Sequence, residues 1–233
     1  MSEQFQFPPA VALGAWFNAA LTGAVTVTDA ANALETITDQ IQPQVRNLHK
    51  DSATTTWLEL VIQIAGSQSP VAVGLPIEGD PAGVPNSLLK EIHRDAGVIA
   101  FSREYLLVQR VDGTWELVNE TNTVPHHNLS QTNRALLEQV AVSTKLLAAS
   151  DLLGDATEVI TALDQFRSLH MPPSLSKRSA DALELAAKIK IIARGALLNT
   201  NAVHSPSVDR KRIEILEELI SGCRNVLQSV VVD

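Results

Sequence analysis

The stretch PSVDRKRIEILEELISGCRNVLQSV, residues 206–230, decides the fold because its apolar residues recur at helical spacing. Polar residues such as Glu214, Glu217 and Arg224 fall on the opposite side. Ser205 suits the N-cap and Pro206 suits the first turn. Burying a large aliphatic side chain contributes about 1.5–3 kcal/mol, so an apolar stripe this long must face other elements. The stretch predicts a long amphipathic helix that packs in a helical bundle or onto a small sheet. The stripe spans about 160° and consists of Ile213, Leu216, Leu219, Ile220, Cys223, Val226, Leu227 and Val230.

The rest of the C-terminal half is also predicted to be helical. Three further helices are expected, at 130–153, 155–169 and 177–199. Gly154 ends the first of them with a residue that tolerates the left-handed conformation, and Pro172-Pro173 follow the second. We therefore expect a C-terminal bundle of about four helices.

The N-terminal half mixes helical and strand patterns. Residues 57–65 could form a helix or a strand. A helix is favoured, because helical spacing places five apolar residues on one face: Trp57, Leu58, Val61, Ile62 and Ala65. Asp112-Gly113 is a strong hairpin signal, because both turn positions tolerate positive φ. Helices are predicted at 9–21, 27–37, 57–65 and 86–96, and strands at 70–75, 98–101, 105–111 and 114–119.

These patterns predict an α+β protein that is mostly helical, with a small, partly antiparallel sheet in the N-terminal half. The polar, proline-containing segment 121–128 is the expected boundary between two parts of the chain. An α+β region would span residues 1–124, and the helical bundle would span residues 125–233.

Composition favours a cytoplasmic globular protein. Hydrophobic residues make up 45% of the 233 residues and aromatic residues only 4%, so an aliphatic core is expected. The opening MSEQFQFPPA lacks the features of a secretory signal, and no stretch reaches the roughly 18 apolar residues of a membrane span. The single Cys223 excludes an intramolecular disulfide and a cysteine-cluster metal site.

The charge distribution argues against a nucleic-acid partner. Residues 1–124 hold 6 Lys/Arg and 14 Asp/Glu, whereas residues 125–233 hold 12 of each. An acidic half repels a phosphate backbone, and the neutral half has no long basic run. Few aromatic residues are available for base stacking. We expect neither a nucleic-acid nor a membrane partner.

The loop at 75–86 is the most suggestive candidate site. It follows a predicted buried strand and contains three prolines and two glycines between Pro76 and Pro85, which forbids regular structure. Glu78, Asp80 and Asn86 are the candidate ligand contacts, since carboxylates at a cleft can serve as acid, base or cation ligand. The alternative is that Asp80-Pro81 initiates a turn and that Glu78 is solvated.

Other motifs add no recognisable chemistry. Phosphate-binding glycine loops, GxSxG, HExxH and the zinc-deaminase signature are all absent from the sequence. His126-His127 have no carboxylate or cysteine within five positions, so they are expected to be solvated. We expect no metal and no cofactor, and the pattern assigns no catalytic residue.

Two stretches carry a resemblance to a known family. LGAWFNAAL at 13–21, with the helix at 29–34, and GLPIEGDP at 74–81 are similar to an uncharacterised group of actinobacterial cytoplasmic proteins. Members of that group combine such an N-terminal half with an Ala/Leu-rich helical C-terminal half. The resemblance implies the fold outline and a cytoplasmic location, and it implies no activity, substrate or site.

Two hypotheses for function follow from the sequence. The first is a non-catalytic binding or protein-interaction protein with a protein partner or a second copy of itself, which predicts an exposed apolar patch of several hundred Å². The second is a small-molecule-binding protein or enzyme that uses the acidic residues of the 75–86 loop, which predicts a concave pocket there with convergent polar groups.

Overall fold

The computed structural model describes residues 7–39, 41–46, 52–66, 69–147, 171–198 and 206–231. These residues form two compact units. The N-terminal unit contains residues 7–126 together with 171–176 and 230–231, and the C-terminal unit contains residues 127–147 and 177–229.

Three helices of the N-terminal unit begin with the local signals that the sequence carries. Helix α1 (Pro9–Leu21) has proline in its first turn and is apolar apart from Asn18, which suits a helix that is largely buried. Helix α2 (Val27–Ile37) is capped by Thr26, whose hydroxyl accepts a hydrogen bond from the Asp29 N–H at 3.0 Å. Helix α3 (Trp57–Ala65) begins with a reciprocal capping box.

A sheet of six described strands completes this unit: β1 (Gln44–Arg46), β2 (Ser52–Thr54), β3 (Ala72–Gly74), β4 (Val98–Ala100), β5 (Tyr105–Gln109) and β6 (Trp115–Asn119). The spatial order is β2-β1-β6-β5-β4-β3. Strands β3 to β6 form an antiparallel group of four, and β1 joins β6 in parallel. Asp112 and Gly113 turn the β5–β6 hairpin, with Gly113 at φ +89°.

The sheet buries both faces. Alternate residues on one face pack with the chain segment after β3, in a cluster that includes Ala72, Val98, Leu106, Val84 and Leu88. The other face lies towards α1, and an aromatic group there joins Phe17, Trp57, Trp115 and Phe101, with ring centroids 5.1–6.4 Å apart. Trp57 also donates its indole N–H to the Ile41 carbonyl at 2.8 Å.

The described C-terminal unit is entirely helical: α4 (Leu129–Leu147), α5 (Lys177–Leu198) and α6 (Pro206–Ser229). Helix α6 packs against both α4 and α5. Ala193, Leu216 and Leu219 form a buried cluster, and partly buried aliphatic residues pack against it. None of the described helices in either unit is long and apolar enough to cross a membrane.

The α+β fold class, the partly antiparallel sheet and the helical C-terminal half are confirmed. Three of the expected C-terminal helices are observed, while the helix expected at 155–169 lies outside the described residues. The strands β1 and β2 were not predicted, because three-residue strands carry too few residues for a period to be recognised.

Two details of the sequence prediction were wrong. Residues 86–91 form turns, and 94–96 form only a 3₁₀ turn, because Ile92 pairs with Arg110 beside the sheet. Helix α3 buries Trp57 and Val61 as predicted, but it also buries Leu60 and Ile64 and exposes Leu58 and Ile62. Tertiary packing therefore overrode local pattern at both places.

Helix α6 is also buried more widely than its apolar stripe predicts. Ile213 is 36% exposed, whereas Arg224 and Gln228, on the predicted polar side, are 8% and 2% exposed. The C-terminal turns of the helix are therefore covered on more than one side.

Candidate functional site

The predicted 75–86 loop begins with a tight turn. The main chains of Ile77 and Asp80 exchange two hydrogen bonds, of 2.9 and 3.2 Å, around Glu78 and Gly79. Gly79 has φ +81°, which glycine adopts without strain. The Asp80 carboxylate accepts a hydrogen bond from the Ala82 N–H at 2.9 Å, so it caps the next turn.

The second half of the loop is held against the segment that follows the sheet. Gly83 lies at φ +78°, and a Cβ there would be 2.3–2.4 Å from the backbone of Thr123 and Val124. The Thr123 N–H donates to the Gly83 carbonyl at 3.0 Å. Glycine is required at this position, because both the conformation and the close approach exclude a side chain.

The candidate ligand contacts are thus placed unequally. Glu78 and Asp80 share one turn, with Glu78 exposed and Asp80 partly buried. Asn86 is exposed and begins the next set of turns. The structure gives Asp80 a turn-forming contact and leaves the Glu78 side chain towards solvent.

A concave site also lies between helices α4 and α6 of the C-terminal unit. This α4–α6 groove has a volume of about 440 Å³. Volumes of about 300–1,000 Å³ are usual for ligand sites. It is lined by Gln131, Thr132, Ala135, Leu136, Gln139, Glu218, Ser221, Gly222 and Asn225.

Small residues let the two helices meet beside this groove. A Cβ on Gly222 would lie 2.4 Å from Gln139 Oε1 and 3.2 Å from Leu136 Cδ1, so glycine permits the close approach. The hydroxyls of Thr132 and Ser229 hydrogen-bond at 2.8 Å and join α4 to the end of α6. The groove therefore sits between two helices that are fastened together by side-chain contacts.

Polar and apolar side chains line the groove together. Amide and hydroxyl side chains supply both hydrogen-bond donors and acceptors, and Leu136 and Ala135 supply apolar surface. Glu218 is the one lining residue with a formal charge. This arrangement can hold a ligand by hydrogen bonds, since it offers polar groups of both kinds around a concave surface.

Sequence reasoning missed this groove. Its polar residues come from two helices 70 or more positions apart, which no local pattern connects. The one available signal was Gly222, because a glycine in a helix interior costs about 1 kcal/mol relative to alanine and often marks close packing.

Arg110 forms the most buried ion pairs of the described N-terminal unit. Its Nε donates to Glu116 Oε2, and its Nη1 donates to Glu91 Oε2 at 2.5 Å. The side chains of Arg110 and Glu116 are 11% and 9% exposed, and that of Glu91 is 50% exposed. The pairs join the edge of the β5–β6 hairpin to the 86–91 turns.

Cys223 lies in the core of the C-terminal unit with no exposed surface. Burial raises the pKa of its thiol to about 12. A neutral, enclosed thiol does not act as a nucleophile or metal ligand. Among the described residues, no group of three or more His, Cys, Asp and Glu side chains is arranged to hold a metal ion.

Two family models match consecutive parts of the chain. The N-terminal domain of Rv1486c-like proteins matches residues 10–129, and the C-terminal domain of the same proteins matches residues 130–227. The chain belongs to the Rv1486c-like family. This membership confirms the resemblance to an actinobacterial group, because the Rv1486c-like proteins are mycobacterial. No curated protein and no solved structure matches the chain.

Proposed function

We propose that this protein is a non-catalytic binding protein of the cytoplasm that recognises a partner protein through the α4–α6 groove. The observation that carries the proposal is the concave surface of about 440 Å³ between two helices, which both polar and apolar side chains line. A groove of this size takes a short segment of a partner, with its main-chain groups hydrogen-bonded to the amides and hydroxyls that line it.

The chemistry of the groove favours binding over catalysis. Acid–base or nucleophilic catalysis needs at least two cooperating groups, such as a nucleophile beside a base. Glu218 is the one lining residue with a carboxylate, and the lining includes no histidine, cysteine or lysine. Gln131, Gln139 and Asn225 instead suit recognition, since an amide both donates and accepts.

A matched pair of substitutions in α4 tests the proposal. Ala135 and Ala141 are both exposed on this helix, and only Ala135 lines the groove. Glutamine is a good helix former, so Ala135→Gln fills part of the groove and Ala141→Gln serves as its control.

The measurement places a photo-crosslinking amino acid at position 135 or 141 of the full chain, and crosslinking is carried out in the cells that produce this protein. We expect a defined partner to crosslink from position 135 and not from position 141. Binding of that purified partner should weaken at least tenfold, about 1.4 kcal/mol, in Ala135→Gln and stay unchanged in Ala141→Gln. Equal crosslinking from both positions, or equal affinities for both variants, would contradict the proposal.

A second copy of the chain is the partner to examine first. Sedimentation velocity over a range of concentrations reports self-association directly. If the groove holds a second copy, the native chain and Ala141→Gln should dimerise at concentrations where Ala135→Gln remains monomeric.

One observation favours a second candidate function, small-molecule binding at the 75–86 loop. Ala82 has φ +51°, a conformation that costs a non-glycine residue about 1 kcal/mol or more and that clusters at functional sites. A thermal-shift screen of metabolites and divalent ions tests it. A specific ligand at a hundredfold excess over its Kd adds about 2.7 kcal/mol to stability. That gain should disappear in Glu78→Gln if this loop is the site.

A further inference from the structure

Two valines that follow helix α6 lie in the core of the N-terminal unit. Val230 and Val231 are 1% and 3% exposed and group with residues 7–126. Both fall outside the two ranges matched by the family's domains, 10–129 and 130–227. The core of this unit therefore includes residues about a hundred positions beyond its own continuous sequence.

Helix α1 makes room for Val231 with a glycine. A Cβ on Gly14 would lie 2.8 Å from Val231 Cγ1 and 2.7 Å from Val73 Cγ2. Carbon atoms in contact are separated by about 3.5–4.0 Å, so any side chain at position 14 would push both valines away. Gly14 thus allows Val231 to pack directly on the helix backbone.

Asn18, one helical turn further, holds the main chain of the same residue. Its Nδ2 donates to the carbonyl of Val231 and, at 3.0 Å, to the carbonyl of Val71. Its Oδ1 accepts from the Val71 N–H at 2.8 Å. One partly buried amide therefore satisfies the backbone beside β3 and the backbone of the incoming segment together.

We infer that Gly14, Asn18 and Val73 form a binding seat for a short aliphatic peptide segment that presents a main-chain carbonyl, and that Val231 of this chain occupies it. The seat recognises β-branched side chains by shape and the carbonyl by the Asn18 donor. The N-terminal unit is complete when the seat is filled, and withdrawal of the segment opens an apolar slot beside an unpaired amide donor.

Tryptophan fluorescence of the full chain provides a selective readout. The three tryptophans, at positions 16, 57 and 115, all belong to the N-terminal unit and are buried. Val231→Ser should lower the melting temperature seen by tryptophan emission by about 5 °C or more. The matched control is Val111→Ser in the same unit, where the valine is 69% exposed, and it should shift the midpoint by less than about 2 °C. Equal shifts would overturn the inference.

A size exchange tests the contact itself. Gly14→Ala should lower the melting temperature more in the native chain than in a Val231→Ala background, because Val231→Ala removes one of the two close contacts of the new methyl group. Additive losses would overturn the inference. If Gly14→Ala alone does not fold, recovery of a folded chain in Gly14→Ala/Val231→Ala supports the inference, and failure of that double variant to fold overturns it.

Discussion

Replacing Gly83 by alanine should lower the stability of the N-terminal unit far more than the same replacement at Gly79. The two glycines lie four positions apart in the 75–86 loop, with φ +78° and +81°. Alanine in this region costs about 1–2 kcal/mol, and this backbone term is shared by both positions. Only the space around each added methyl group differs.

That difference sets the magnitude. No atom lies within 4 Å of a Cβ built on Gly79, so Gly79→Ala should cost about 1 kcal/mol. A Cβ on Gly83 would lie 2.3 Å from the carbonyl carbon of Thr123, so the backbone must move by about 1 Å and the Thr123–Gly83 hydrogen bond is lost. Overpacking of this kind costs about 1–3 kcal/mol by itself. We expect a total loss of about 4 kcal/mol for Gly83→Ala.

Urea unfolding followed by tryptophan emission measures both values, because every tryptophan lies in the N-terminal unit. The two variants should have similar m-values, and their free energies of unfolding should differ by about 3 kcal/mol. Equal losses at the two positions would show that the loop does not rest on the 122–124 backbone, and the reasoning would fail.

Three further predictions use charged and titratable groups. Glu116→Gln should destabilise the chain by about 3 kcal/mol because it breaks a buried ion pair, whereas Glu91→Gln, which removes the half-exposed partner of the same guanidinium, should cost less than about 1 kcal/mol in urea unfolding. Since burial raises the pKa of the Cys223 thiol from 9.0 to about 12, the thiol loses its proton at lower pH in the unfolded chain than in the folded chain. Stability should therefore fall as the pH rises from about 9 to about 12. Ellman's reagent should react with Cys223 only when the chain unfolds. Hydrogen bonds from the Thr56 backbone and from the hydroxyls of Thr55 and Thr56 lower the pKa of Glu59, so an NMR titration should place its midpoint below 4.5. The stability that the carboxylate adds should be present above pH 4.5 and lost as the pH falls through the pKa of the folded state. A normal Glu59 midpoint, or a Cys223 that reacts in the folded chain, would contradict the last two.

Local signals predicted most of the fold because they act through residues close in sequence. Pro9 and the Thr26 cap set the starts of α1 and α2, and both helices end at the predicted residues. The Asp112-Gly113 turn likewise predicted the β5–β6 hairpin. Each of these features is decided by hydrogen bonds or backbone conformations within a few positions.

The errors arose where distant residues compete with local pattern. Residues 86–96 have helical spacing, but Ile92 gains a backbone partner at Arg110 and a buried position beside Val98. Helix α3 was predicted correctly, but its buried face depends on which neighbours it meets. Periodicity cannot choose between two apolar faces of one helix, since Leu58 and Leu60 are equally hydrophobic.

The candidate site was predictable only in part. The sequence located a rigid loop at 75–86, and its glycines do carry positive φ. The α4–α6 groove and the seat for Val231 depend on residues that are far apart in the chain. Gly14 and Gly222 mark both places, because each lets another element approach a helix backbone.

By itself, the sequence determined the two-part plan of this protein: an acidic α+β half with a small sheet and a neutral helical half with an amphipathic helix near its end. Those properties follow from composition, periodicity and caps, which act over a few residues. Tertiary structure alone decided which faces are buried, where the groove lies and that Val231 belongs to the core of the N-terminal unit. These outcomes depend on packing between distant segments, and the free energy of close packing is set by shape rather than by local pattern.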